Sequence, residues 1–377
     1  MAKYAAKERI ARFCSFMSFR SAKRLWAGVW LGVLLLVAFN AHADWQLVWS
    51  DEFNGTSLNT NTWYSDNGQA SCIDGNGDLE LYTNNAATFQ VTNGYLRIIA
   101  NVVTNGGTNY LTSGRLETEG INDCTQIIYT NQALFTMTYG AIEWRARLPQ
   151  GPGAWPALWL AAYGSTNPAT PQYPYYGWWP NCGEMDVVEN NGMEDDLNAE
   201  SLHYYNGNYE FSQAVADVTQ WHVYRLEWYT NQFDWYVDGV LGGSTSSWNP
   251  PPGYSYPAPF DAKSGGFIIV MDLALGGPYT GSPSQAQIAA ALPYEMDVDY
   301  VRVYQQVNPL LSEIETNGGL VVSWPLPSGT WVLEQTMSPT GPWTQVPVSL
   351  YQTNQSQISF SVLPPLTKTM FYKLLQQ

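Results

Sequence analysis

Three acidic side chains lie close together in the stretch NCGEMDVVEN, residues 181–190. Alternate residues of a strand share a face, so Glu184 and Asp186 are predicted to point the same way. Glu189 has the opposite parity in a regular strand. A β-bulge at Val187 and Val188 adds one residue to the count and returns Glu189 to the face of the other two acids. The sequence therefore predicts three carboxylates along one groove.

Neighbouring carboxylates of this kind can cleave a glycosidic bond. Their mutual repulsion separates their pKa values, so that one group donates a proton near neutral pH while another stays ionised. In a retaining glycosidase two carboxyl groups about 5–5.5 Å apart act as nucleophile and as acid/base, and a larger separation indicates inversion. We expect the short distance because long side chains on one strand can lean together across Asp186. An exposed acidic strand or an acidic calcium-binding edge would show the same pattern.

The elements that must position these acids are strands. Period-2 patterns bounded by Gly, Asn or Pro dominate after residue 44, and no long amphipathic helix pattern occurs there. The clearest strand patterns are GYLRIIA, GAIEWRARL, HVYRLEWY, FDWYVDG, GFIIVMDLAL and MDVDYVRVY. The sequence predicts an all-β fold, a two-sheet sandwich or jelly roll whose curved face can bind a polymer.

Two changes in composition divide the chain. Residues 1–43 form a basic stretch, an apolar run from Leu25 to Phe39 and the small-x-small pattern before Asp44, which predicts a signal peptide cleaved after Ala43. A membrane anchor is the alternative, but this run is shorter than the roughly 20 residues needed to span a bilayer. The segment QQVNPL, which begins at Gln305, predicts a linker between a domain at 44–306 and a small β-sandwich module at 307–377. Secretion is therefore expected.

Charge and cysteine content restrict the partners. The leader holds 7 of the 16 basic and 1 of the 32 acidic residues, which leaves 9 against 31, a net charge of −22. Such a surface disfavours nucleic acid, anionic membrane lipid and polyanionic polysaccharide, and favours a neutral partner. Cys14 belongs to the leader. Cys72 and Cys124 lie in polar, loop-like stretches and are expected to pair, whereas Cys182 is expected to be a buried thiol. No cysteine or histidine spacing indicates zinc.

The acid stretch resembles the E-x-D-x-x-E signature of glycoside hydrolase family 16, the laminarinase-like enzymes. The resemblance covers residues 44–306 through blocks in the family's order: WQLVWSDEFNG, GDLELYT, SGRLET, YGAIEWRARLP, GAWPALWL, WPNCGEMDVVEN, FDWYVDG and VDYVRVY. It implies that Glu184 is the nucleophile, Glu189 the acid/base and Asp186 the group that orients the nucleophile. The implied fold is a concanavalin A-like jelly roll with a long cleft.

The resemblance also implies substrate-binding side chains, namely Trp155, Trp159, Trp179, Arg115, His203 and Glu80. The structural alternatives are core packing for Trp155 and Trp159, an ion pair with Glu117 or Glu119 for Arg115, and a structural role for His203. His222 is expected to carry no chemistry. Asp272 departs from the Asn that is common in the family, so no subsite role is assigned to it.

A structural calcium is a further implication of the resemblance. Glu52, the Gly94 carbonyl and Asp299 match positions that hold the ion in relatives, and oxygen ligands suit calcium. Ordinary surface acids are the alternative. The ion would stabilise the fold, and no cofactor is expected for catalysis.

The resulting hypothesis is a monomeric, secreted endo-β-1,3-glucanase that acts on a neutral, laminarin-like glucan, with mixed β-1,3-1,4 glucan as a further substrate. Agarase is the runner-up within the family, because the acidic chain is poorly suited to sulfated carrageenan. Transglycosylation stays open, since water and sugar compete for the same intermediate. A glucan-binding lectin without activity is the alternative of another class. For the C-terminal module, Trp324, Trp331 and Trp343 allow either sugar binding or core packing.

Overall fold

The computed structural model describes residues 45–70, 75–119, 133–164, 175–193, 197–306, 311–316, 319–325, 331–354, 357–362 and 370–376. The predicted leader and the Cys72–Cys124 pair lie outside these residues. The described chain separates into two compact units, one spanning Trp45–Gln306 and the other lying within Val307–Gln377. No helix among the described residues is long and apolar enough to cross a membrane.

The regular secondary structure of the first unit is almost entirely β-strand. Its strands are β1 Trp45–Asp51, β2 Tyr64–Ser65, β3 Gly68–Gln69, β4 Glu80–Tyr82, β5 Phe89–Thr92, β6 Tyr95–Asn105, β7 Thr108–Ser113, β8 Arg115–Glu117, β9 Gly140–Arg147, β10 Ala154–Ala162, β11 Glu184–Glu189, β12 Leu197–Tyr204, β13 Gly207–Ala214, β14 His222–Tyr229, β15 Gln232–Val237, β16 Val240–Thr245, β17 Phe267–Leu275 and β18 Tyr294–Gln306. A 3-10 turn at Ala262–Ser264 and the short helix α1, Gln285–Ala291, complete it.

These strands form two sheets, which confirms the all-β prediction. Within the described chain the larger sheet has the order β16-β15-β14-β9-β18-β6-β7-β4-β3, with β1 beside β18 and β5 beside β6. The smaller sheet has the order β13-β12-β11-β10-β17-β8-β2. The acid strand β11 thus lies inside the smaller sheet, with hydrogen-bonded neighbours on both sides.

One continuous apolar core joins the facing sides of the two sheets. The larger sheet contributes buried aromatic rings such as Trp144, Trp228 and Trp235, and the smaller sheet contributes Leu160 and Met185. In β9 the buried and half-buried residues alternate from Ile142 onward, as expected for a strand with one face in the core. By contrast, all nine residues of β17 are buried, so this strand supports the middle of the smaller sheet from both faces.

Tight turns fix the register of the outer strands. The β15–β16 hairpin turns at Asp238 and Gly239, which have φ angles of 50° and 76°. Positive φ at both positions suits an Asp-Gly pair and matches the twist of a two-residue hairpin.

The second unit contains β19 Ser312–Thr316, β20 Gly319–Pro325, β21 Trp331–Thr336, β22 Thr344–Gln345, β23 Gln352–Thr353, β24 Gln357–Val362 and β25 Phe371–Gln376. They form a four-stranded sheet, β19-β20-β24-β23, and a three-stranded sheet, β22-β21-β25. Trp324 is fully buried with Val322 and Leu333 in a small core. Core packing, one of the two interpretations of the module's tryptophans, therefore holds for Trp324.

Candidate active site

The acid strand β11 carries the predicted bulge. On β10 the consecutive residues Leu158 and Trp159 lie opposite Val188 and Asp186, so Val187 is the inserted residue. The register of β12 shifts at the same place. The bulge prediction is confirmed: parity changes after the insertion, and the side chain at position 189 returns to the groove face.

Backbone constraints fix where β11 begins. Gly183 has a φ angle of 86°, and a Cβ atom there would lie 2.7 Å from the Phe260 ring, so only glycine fits this position. The preceding Cys182 is buried and has no disulfide partner. Burial, followed by the nearby Glu184 charge, raises the pKa of this thiol to about 12. The prediction of a buried thiol at Cys182 is confirmed.

Glu184 and Asp186 share a histidine. His203 Nε2 lies 3.3 Å from Asp186 Oδ2 and 3.8 Å from Glu184 Oε1. The Ser201 hydroxyl donates to Asp186 Oδ2 at 2.5 Å, and its oxygen lies 3.1 Å from His203 Nε2. One possible metal-ligand atom from each of the two acids and the histidine lies within 4.8 Å of the other two. That spacing would also admit a metal ion, but acid/base chemistry needs none.

The charge of His203 follows from these neighbours. Burial alone lowers the pKa of an imidazole, but here the hydrogen bond and charge of Asp186, with the charges of Glu184 and Glu189, raise it to about 9. The ring is therefore protonated at neutral pH.

Glu189 has a different environment from the other two acids. The Trp155 indole donates to Glu189 Oε1 at 3.1 Å, and the Tyr279 hydroxyl donates to the Glu189 carbonyl at 3.2 Å. Burial, followed by the charge of Asp186, raises the pKa of Glu189 to about 8, against the opposing effects of His203 and Trp155. Glu189 is therefore protonated at neutral pH, which is the state required of a general acid.

A second carboxylate network lies beside the first. The Trp159 indole donates to Asp272 Oδ1 at 2.7 Å, and the Tyr82 hydroxyl lies 3.4 Å from Asp272 Oδ2. The Arg115 guanidinium lies 5.4 Å from the Trp159 ring centre. Ala157 is opposite both Asp272 and Glu189 in the sheet. Asp272, to which the sequence assigned no role, thus orients one predicted stacking residue and faces the acid/base candidate.

Two predicted sugar contacts need correction. Arg115 is 1% exposed and pairs with Asp66 and with Glu117, the latter at 2.8 Å. Glu80 is fully buried and accepts a hydrogen bond from the Leu275 amide at 2.9 Å. Direct contact of either side chain with a polymer is not supported, because neither reaches the surface. The ion pair with Glu117 is the alternative stated for Arg115, whose guanidinium also lies against the Trp159 ring. Glu80 ties β4 to the end of β17.

The remaining predicted contacts do lie near the acids. Trp155 is half-buried and packs on Tyr279, with ring centres 4.7 Å apart. Trp179 is 57% exposed, and its ring centre lies 5.8 Å from that of His203. An exposed indole beside the catalytic candidates can stack on a sugar face. His222, the first residue of β14 in the larger sheet, pairs with Asp238.

The predicted calcium ligands have other partners. Both Glu52 oxygens accept hydrogen bonds from Arg302, at 2.7 and 2.9 Å, and Asp299 pairs with Arg145 at 2.6 Å. Gly94 has a φ angle of 81° in the turn before β6. An ion bound by these carboxylates would have to displace two guanidinium groups. The calcium site stays a prediction.

Three residues that support the acids were not predicted. Ser201 bonds to Asp186 and Tyr279 to Glu189, while the Trp235 indole donates to the Asp186 carbonyl at 2.9 Å from the opposing sheet. Only Ser201 had a local signal, since it is two residues from His203 and shares its face. Tyr279 lies in a loop, and Trp235 follows Asp186 by 49 positions.

Comparison with known proteins agrees with this geometry. The family model "Glycosyl hydrolases family 16" matches residues 68–260. Glucan endo-1,3-beta-glucosidase A1 of Niallia circulans is 32% identical over 71% of this chain and 39% of its own length. Keratan-sulfate endo-1,4-beta-galactosidase of Sphingobacterium multivorum is 30% identical over 75% of this chain and 60% of its own length. The chain thus spans less than two thirds of these two relatives.

A solved structure shows the same architecture. The X-ray structure of the laminarinase from Rhodothermus marinus superposes with a TM-score of 0.56 and 31% identity, covering 70% of this chain and 99% of that one. The family model, the relatives and the two-sheet fold agree with the ordered sequence blocks, and the chain belongs to family 16 of the glycosyl hydrolases.

Proposed function

We propose that this chain is a retaining endo-β-1,3-glucanase that hydrolyses a neutral, laminarin-like glucan. The observation that carries the proposal is the bulge in β11. It brings a protonated Glu189 to the same groove face as Glu184 and Asp186. One acid that donates a proton beside another that can attack is the requirement for double displacement.

The first chemical step forms a covalent intermediate. Glu189 donates its proton to the glycosidic oxygen, the bond from that oxygen to the anomeric carbon breaks, and a Glu184 carboxylate oxygen bonds to that carbon. The negative charge thereby moves from Glu184 to Glu189, while the number of charges in the groove stays constant. The negative charges of both glutamates raise the pKa of His203. His203 therefore stays protonated while the charge moves from one glutamate to the other.

The second step reverses the roles. Glu189, now a carboxylate, takes a proton from water while the water oxygen attacks the anomeric carbon and releases Glu184. The product has the same anomeric configuration as the substrate. Asp186 is held by Ser201 and His203 and orients the nucleophile side of the groove. A sugar hydroxyl in place of water gives transglycosylation.

The substrate class follows from charge and relatives. The full chain has a formal net charge of −16, which disfavours sulfated polymers. The Niallia and Rhodothermus relatives bear glucanase and laminarinase names. The Sphingobacterium relative, named for galactosidase activity, supports a galactan hydrolase as the second candidate, with neutral agarose ahead of keratan sulfate or carrageenan.

The test is product analysis with acid variants. The chain is incubated with laminarin, mixed-linkage glucan, agarose, carrageenan and keratan sulfate, and new reducing ends are measured. Glu184→Gln is expected to lower kcat on laminarin by about 10⁴-fold or more. Glu295→Gln, which removes an exposed acid from the larger sheet, is the matched control and is expected to keep wild-type activity. NMR of the first product shows which anomer forms.

A second variant separates the roles of the two glutamates. Glu189→Ala is expected to hydrolyse laminarin poorly but to keep its first step with an aryl β-glucoside, whose leaving group needs no proton. Glu184→Ala is expected to lose both reactions. Binding of laminarin without new reducing ends would support the lectin alternative, and inversion at the anomeric carbon would exclude double displacement.

We also propose secretion, supported by the basic and apolar leader before Asp44. Expression of the full chain in a bacterial host with a secretory pathway, followed by N-terminal sequencing of the exported protein, is expected to give Asp44 as the first residue. Retention in the cytoplasm with an intact leader would contradict the proposal.

A further inference from the structure

Two polar side chains hold the catalytic bulge from the core side. Asn198 and Glu200 lie on β12, on the face opposite to Ser201 and His203, and both are buried. Asn198 Nδ2 donates to the Val187 carbonyl at 3.0 Å. Val187 is the inserted residue and has no partner on β10. The Asn198 bond therefore fixes the part of β11 that has the fewest hydrogen bonds to the neighbouring strands.

Glu200 completes this arrangement. Ser201 lies opposite Asp186 and Ala199 opposite Glu189, so Glu200 is the single β12 residue that faces both residues of the bulge. Its Oε1 accepts the second Asn198 Nδ2 hydrogen at 3.0 Å, which fixes the amide orientation. Burial raises the pKa of Glu200 to about 8. The carboxyl is therefore uncharged at neutral pH.

Stability does not explain these polar residues. Within the described chain, Glu200 Oε2, Asn198 Oδ1 and the Tyr224 hydroxyl are buried without a hydrogen-bond partner. Such atoms lower the stability of a fold. Leu202, the next residue on the same face of β12, is apolar and fully buried. The polar pair is thus confined to the stretch of β12 that faces the bulge and the residues beside it.

We propose that Asn198 and Glu200 are positioning residues that fix the bulge and so set the place of Glu189 relative to Glu184. The inference rests on the proposed function, because the bulge matters only if both glutamates act on one bond. Loss of the Asn198 bond lets β11 shift toward regular pairing, and a shift of one residue turns a side chain to the opposite face. A displacement of about 1 Å in a catalytic group can cost about 100-fold in rate.

The experiment compares variants on the two sides of this bond. Asn198→Leu keeps the branched shape of the side chain but removes the donor, and is expected to lower kcat on laminarin about 10- to 100-fold with KM changed less than about threefold. Asn198→Ala serves if the larger side chain prevents folding. Glu200→Gln keeps an acceptor oxygen and is expected to stay within about threefold of wild type, whereas Glu200→Leu is expected to lose kcat.

Leu202→Val is the matched control, since it disturbs the same core face without touching the bulge. It is expected to lower Tm while kcat stays within about twofold. Hydrogen exchange adds a readout that does not need activity. The amides of residues 184–190 should exchange about tenfold faster in Asn198→Leu than in the wild type, and at the wild-type rate in Leu202→Val. A kcat within twofold of wild type and unchanged exchange in folded Asn198 variants would overturn the inference. A wild-type chain without glycosidase activity would instead refute the proposed function, and the exchange data would still decide the bulge.

Discussion

Asp272 faces Glu189 across a single strand, and this arrangement predicts a shift in the pH profile. Ala157 lies opposite both residues, with only a methyl group between them. Strands are about 4.8 Å apart, so the two Cα atoms are roughly 9.6 Å apart. Unit charges about 10 Å apart interact by roughly 1.7 kcal/mol at an effective dielectric constant near 20. That energy is about 1.2 pKa units.

The perturbation is Asp272→Asn. It is expected to lower the pKa of Glu189 by about 0.5 to 1 unit, because the Trp159 hydrogen bond and the facing Arg115 take up part of the Asp272 charge. Glu189 must be protonated to act as the acid, so activity falls as pH rises through its pKa, about 8 in the wild type. The alkaline limb of kcat/KM therefore moves to lower pH in the variant.

The assay is kcat/KM on laminarin from pH 5 to 10. Asn keeps the oxygen that accepts from Trp159, so the change removes charge and little else. Asp238→Asn removes the same charge at the β15–β16 turn, where the side chain is 51% exposed, and is expected to leave the limb in place. An unmoved alkaline limb in Asp272→Asn, or an equal shift in both variants, would refute the electrostatic argument.

Three other expectations are independent of that profile. Burial raises the pKa of Glu200, so the folded state keeps this proton at pH values where the unfolded state has lost it, and the free energy of unfolding decreases from pH 5 to 8. In Glu200→Gln this decrease should be smaller by about 3 kcal/mol, as measured by urea unfolding at each pH. If calcium binds as predicted, added calcium raises the Tm of the wild type but not that of Glu52→Gln. A Tm that changes with neither calcium nor a chelator would contradict the calcium site, with Arg302 as the partner of Glu52. Trp179→Ala should raise KM about tenfold with kcat within about threefold, measured on laminarin, because an exposed ring binds ground and transition states alike.

The local sequence pattern predicted much of this site because side chains along a strand alternate between the two faces. The two-residue alternation located Glu184 and Asp186 on one face, and the mismatch of Glu189 required the bulge that the structure contains. The same period carries a further signal in β12. There Asn198 and Glu200 share the core-facing side of the strand with the apolar Leu202.

The sequence offered the near partner of Arg115, Glu117, as an alternative, but prediction failed for partners that lie far along the chain. Arg115 resembles a sugar-binding arginine, but its strand is three residues long and buried throughout, so parity could not assign a face. Its partner Asp66 is 49 positions earlier, and no pattern within the β8 segment indicates that contact. Glu80 is similar, because its partner amide at Leu275 is 195 positions away. Only the folded sheet brings these groups together.

The bulge connects stability and activity in this fold. An inserted residue breaks a ladder inside a sheet, and the freed carbonyl groups of Asp186 and Val187 accept hydrogen bonds from Trp235 and Asn198. These bonds reach β11 from the core side, so the groove face stays free for Glu184 and Glu189. A fold selected for stability alone would place apolar residues beneath β11, since buried polar groups can often be replaced by well-packed apolar ones at no cost. The presence of Asn198 and Glu200 there therefore fits a role in fixing the place of Glu189.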